Sequence, residues 1–185
     1  SEYETIKNEI GKDISSGTNS HAGLMAGMDL LNGGGAANSR KYLIFVSDGK
    51  TYIFGEEPTA IPLENADRTN AFAGPDNWAT KYGNDTPPAS WDAYFAEIAA
   101  QIAVDGTQYY VPYGTNTPYI SYEERLEHAN SVDVALYRTN EVYQAAKSAG
   151  YRVFAKLKSS DIGANYLWGP AFMEYLSGGQ EVSFE

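Results

Sequence analysis

The sequence predicts an α/β fold, a mostly parallel sheet with helices on both faces, carrying a large insertion after its clearest strand. Three observations lead there. Tyr42-Leu43-Ile44-Phe45-Val46 is an unalternating apolar run that follows a helical pattern, as suits a strand buried on both faces of a parallel sheet. Tyr151-Arg152-Val153-Phe154-Ala155-Lys156-Leu157 is a second strand, and it too follows a helical pattern. Between the two, from about Gly55 to Asn130, lies a stretch with seven of the eight prolines and many turn residues. That is too long for a connecting loop and reads as an insertion.

Each element has its own warrant. Ser1-Glu2-Tyr3-Glu4 has the form of a capping box and opens a short helix to about Ile10, which Gly11 breaks. Asn19 or Ser20 caps the next helix, where Leu24, Met25, Met28 and Leu31 recur at helical spacing until Gly33-Gly34-Gly35. The first strand stops at Ser47-Asp48-Gly49, so those polar groups stand at the carboxyl end of the sheet, where open α/β folds bind ligands. Inside the insertion Ser90 caps a helix with the apolar stripe Trp91, Tyr94, Phe95, Ile98 and Ile102. A helix from Ser131 to Ala149 runs through Val132, Leu136, Val142, Tyr143 and Ala146 and closes on Gly150 at C′. Pro170 to Leu176 reads as a short helix and Glu181 to Phe184 as a last edge strand. Alternating helices and strands in this order is the grammar of α/β layering.

Composition excludes several classes of function. The net charge of −11, from 13 basic and 24 acidic residues, leaves no basic cluster for nucleic acid or an anionic membrane surface. The densest apolar segment, Leu43 to Val46, is far short of a membrane span. The N-terminus lacks the basic and apolar regions of a signal peptide, so the signal of an exported protein would lie upstream. With no cysteine there is no disulfide, thiolate catalysis or zinc–sulfur site. Tyrosine dominates the aromatics, 15 against 7 Phe and 3 Trp, a bias that suits recognition surfaces.

The chemistry concentrates in two loops. Gly17-Thr18-Asn19-Ser20 precedes a helix and Val46-Ser47-Asp48-Gly49 ends a strand. Thr18 offers a hydroxyl and Asp48 a carboxylate, both hard oxygen donors of the kind Mg²⁺ prefers. Gly17 to Leu24 and Arg40 to Gly49 resemble the second and third loops of a von Willebrand factor type A domain. Ser131 to Tyr137 and Trp168 to Gly179 resemble the A domains of Gram-positive pilus tip adhesins, in which long insertions also follow the Asp-Gly strand.

The resemblance covers residues 1–54 and 131–185, the partial domain, and leaves 55–130 as an inserted arm. It implies a metal-ion-dependent adhesion site with Thr18 and Asp48 as ligands to Mg²⁺, or Ca²⁺ or Mn²⁺. It also implies a non-enzymatic adhesin on the cell wall or pilus that captures a host or extracellular-matrix protein or glycan. The family's Asp-x-Ser-x-Ser motif is absent; Asp13-Ile14-Ser15-Ser16-Gly17 has glycine where the last serine belongs and reads as a loop. The site is therefore incomplete in this chain, and a missing upstream segment is expected to supply the remaining ligands and the central strand.

Within the arm, Tyr109, Tyr110 and Tyr113 are the ligand-binding candidates, among other aromatics that include Trp78, Tyr119 and Tyr122. That aromatic content also keeps open a carbohydrate-binding or glycan-processing module. Weaker constellations point nowhere further. His21 and His128 read as surface or capped side chains, no Gly-x-Ser-x-Gly elbow supports a hydrolase triad, and Glu123, Glu124 and Glu127 read as a solvated helical face beside Arg125.

Overall fold

The structure, a computed structural model, describes residues 19–34, 39–47, 51, 54, 80–82, 86–105, 129, 131–157 and 168–178. Among the described residues four helices and two strands follow one another in chain order: α1 (Ser20–Gly33), β1 (Tyr42–Ser47), α2 (Trp91–Asp105), α3 (Ser131–Ser148), β2 (Arg152–Leu157) and α4 (Trp168–Leu176). The strands pair in parallel with Tyr42 opposite Arg152 and Ser47 opposite Leu157. This is a mixed α/β fold with a parallel pair at its centre. The helix expected near residues 1–10 and the strand at 181–184 lie outside the described residues.

Helix ends follow local chemistry. Asn19, rather than Ser20, caps α1, its Oδ1 accepting the Ala22 N–H at 2.9 Å. Ser90 caps α2 through Oγ, which accepts the Ala93 N–H at 3.3 Å. Helix α3 closes on Gly150 at φ +78°, with Gly150 N–H donating to Lys147 O and Tyr151 N–H to Ala146 O, both at 2.9 Å. Those two bonds satisfy carbonyls that a helix end leaves open. Helix α4 starts at Trp168, two residues before the proline expected to open it. Pro170 sits in the first turn, where the missing N–H has no helical partner to lose.

Only one face of the strand pair is well covered. Leu43 and Phe45 share it with Val153 and Ala155, and α1 lies so close that a Cβ on Gly27 would overlap Leu43 Cδ1. Helix α1 also packs on α3, and α3 on β2. On the other face Ile44 and Val46 are 62% and 61% exposed, with Tyr42 stacked on Phe154 beside them. The expected strand buried on both faces is therefore buried on one: its side chains alternate in burial because the described helices meet only the odd-numbered set.

The free edge of β2 is closed by a hydroxyl. Arg152 N–H donates to Lys41 O across the pair, so Val153 and Ala155 turn their backbone groups outward. Ser177 Oγ, just past α4, accepts the Ala155 N–H at 3.1 Å and reaches the Ala155 carbonyl at 2.7 Å. Helices α2, α3 and α4 join through an aromatic cluster in which the Trp91 ring contacts Tyr94, Phe95, Phe172 and Tyr175 at centroid distances of 5.1–5.8 Å. The amino-terminal turns of α3, Val132 to Leu136, are buried on every side. Its apolar residues pack into the interior, and Asp133 among them is buried with hydrogen-bond partners.

Candidate functional site

The first place to look is the carboxyl end of β1, facing the start of α1. Ser20 is buried, and its N–H donates to Thr51 Oγ1 at 3.3 Å. Thr51 lies three residues beyond Asp48 and Ser20 two beyond Thr18. One hydrogen bond thus joins the segments that carry the two expected metal ligands. Thr18, Asp48, Tyr109, Tyr110 and Tyr113 themselves lie outside the described residues, as do His128 and the acidic trio at 123, 124 and 127. Among the described residues no group of three or more His, Cys, Asp or Glu is arranged around a common point.

A second place was not anticipated. Lys81 is completely buried, and its ammonium pairs with Glu97 of α2. The Tyr82 hydroxyl donates to the other oxygen of the same carboxylate. Behind them Asp133 of α3, also 0% exposed, accepts the Lys81 backbone N–H at 2.9 Å and the Tyr94 hydroxyl at 2.5 Å. Gln101, one turn along α2, brings Nε2 to 3.4 Å from Glu97 Oε1. Its own amide oxygen is the one buried side-chain polar atom without a hydrogen-bond partner among the described residues.

The charges in this cluster set each other. Desolvation works to raise Glu97, but the hydrogen bonds from Lys81 and Tyr82 and the Lys81 charge outweigh it and hold the carboxyl below its usual range. Burial, and then the hydrogen bond to that carboxylate, push Tyr82 up to about 12. Burial and the Asp133 charge raise Tyr94 well above the ordinary phenol value. Both phenols are neutral donors across the physiological range, and Glu97 is ionised.

This cluster floors a cleft of about 490 Å³ between the Pro87-Pro88 segment and α2. Tyr82, Tyr94, Ala93 and Glu97 line it with the two prolines. Little in the sequence pattern points to it. Lys81 and Glu97 are 16 residues apart and Lys81 and Asp133 are 52 apart, so no motif spacing links them. The only signal was an acid, Asp133, set between valines on a helix that reads as buried.

A third polar group sits on the aromatic cluster. Tyr175 OH accepts from Gln144 Nε2 at 2.9 Å and lies 2.9 Å from Asn140 Oδ1 and 3.3 Å from Asp92 Oδ1. Burial and the Asp92 charge raise it to about 12. Together these contacts tie α4 to α3, through Gln144 and Asn140, and to α2, through Asp92.

Comparison with protein-family models, curated proteins and solved structures finds no match to this chain.

Proposed function

We propose that the chain is an adhesion domain of the von Willebrand factor type A kind, binding a host or matrix ligand through a metal ion at the carboxyl end of β1. In this reading it works at the cell surface, and the arm at 55–130 selects the ligand. The observation that carries it is the Ser20–Thr51 hydrogen bond, which joins the segments of Thr18 and Asp48 beside the end of a parallel strand. Parallel strands linked through a helix, with polar loops at their carboxyl ends, are the setting in which α/β folds bind ligands.

The donor chemistry fits a hard cation. A hydroxyl and a carboxylate are hard oxygen donors, and such a cation keeps several waters beside them. When bound, the metal supplies a positive point on which an acidic side chain of the partner can complete the coordination. Thr18 would hold it by its hydroxyl, and Asp48 by its carboxylate, directly or through water. With no Asp-x-Ser-x-Ser in the sequence, these two residues alone hold Mg²⁺ weakly.

The test is capture of the chain on immobilised extracellular-matrix extract, in Mg²⁺ and after chelator. Retention is expected to fall at least ~10-fold on chelation and equally in Asp48→Ala, with the melting temperature of that variant unchanged in chelator. Calorimetry of the isolated chain with Mg²⁺ is expected to give a Kd on the order of 1 mM or weaker. Retention indifferent to chelator would sink the metal reading and favour a glycan-binding arm.

A further inference from the structure

We infer that the cleft between Pro87-Pro88 and α2 is a binding site for an alkylammonium group, with Glu97 as its acceptor. The site is separate from the proposed metal position and stands or falls independently of it. Its volume of about 490 Å³ is that of a small-ligand site.

The polar side of the argument is an acceptor count. A carboxylate has about four acceptor sites, two on each oxygen. On Glu97, Oε1 takes Lys81 and Gln101, while Oε2 takes only Tyr82. One site remains, on Oε2, and the Glu97 side chain is 39% exposed. A single open acceptor fits a point donor such as an ammonium. It does not fit a guanidinium, which seeks both oxygens at once.

Charge points the same way. Glu97 lines the cleft with its side chain partly exposed, whereas its partner Lys81 is fully buried behind it. None of the described residues that line the cleft is basic. A cation entering there meets the partly exposed oxygens of an ionised carboxylate, Glu97, in a partly desolvated place, where attraction is stronger than in water.

The walls suit the rest of such a ligand. The hydroxyls of Tyr82 and Tyr94 are committed to Glu97 and Asp133, so the cleft is offered their rings rather than their donors. Ring faces attract ammonium groups and bury methylene stems. The prolines, Ala89 and Ala93 add apolar surface, and the hydroxyls of Thr86 and Ser90 complete the lining. Two sources share this chemistry, a lysine side chain of a partner polypeptide and a small free amine.

The experiment uses the full chain in chelator-containing buffer, so that metal binding plays no part. Calorimetry or NMR titration compares acetyl-Ala-Lys-Ala-amide, its N-acetyllysine and arginine counterparts, and n-butylamine. The lysine peptide is expected to saturate with a Kd on the order of 1 mM or tighter, and acetylation of the ammonium or replacement by arginine to weaken it at least ~10-fold. Butylamine as good as the peptide identifies a small amine as the ligand; a weaker butylamine identifies a lysine in a polypeptide.

Glu97→Gln should abolish binding. Because that change also leaves the buried Lys81 without its carboxylate, Ala93→Leu is the deciding variant: it fills the cleft from an exposed helical position and leaves the ion pair intact. Ala93→Leu is expected to lose at least ~10-fold in affinity with an unchanged melting temperature. Equal binding of the acetylated peptide, full binding by Ala93→Leu, or no saturable binding of any amine would overturn the assignment.

Discussion

Asp133 is the residue on which the interior polar cluster turns. It is fully buried on α3, and it accepts one N–H from the chain at Lys81 and one hydroxyl from Tyr94 on α2. Removing it strands both donors and leaves the Lys81–Glu97 pair without its neighbouring charge. Asp133→Ala is expected to destabilise the fold by about 3 kcal/mol, since a buried donor left unsatisfied loses its full hydration. Urea unfolding measures this; a loss under ~1 kcal/mol would mean that water replaces the carboxylate. Little of this was legible beforehand. Periodicity marks a helix face as apolar, but it cannot show which distant lysine arrives to meet an acid on that face.

At the scale of elements, local signals were the legible part, and glycine at C′ of α3 was the clearest. Gly150 has φ +78° and no atom within 4 Å of where a Cβ would stand. The cost of a side chain there is backbone strain alone, with no clash. Gly150→Ala is expected to cost about 1–2 kcal/mol, and Gly150→Asn less, by thermal unfolding. Asn19 and Ser90 were readable for the same reason: a cap is chemistry between near neighbours. Helix α4 starts earlier than its proline predicts, because Trp168 and Gly169, both buried, already belong to it. The exposed face of β1 was beyond sequence reading. An apolar run reports what a strand can bury, and the packing of α1 on Leu43 and Phe45 decides which half of it is buried.

For the molecule as a whole, the bare face of β1 matters most. Tyr42, Ile44 and Val46 lie in a row on a strand that, among the described residues, pairs only with β2. An exposed apolar strand with an open edge invites a second chain. Sedimentation at increasing concentration is expected to show self-association that Ile44→Lys suppresses without lowering the melting temperature, because Ile44 is 62% exposed already. The pairing of Tyr42 with Arg152 has a further consequence, one of timing. During synthesis β1 leaves the ribosome roughly 110 residues before its partner is complete, which at ordinary elongation rates is about 5–20 s. Helix α1, made just before it, can shield Leu43 and Phe45 in that interval. Ile44 and Val46 have no such cover, so the Leu43–Val46 segment is where a nascent-chain holdase would bind.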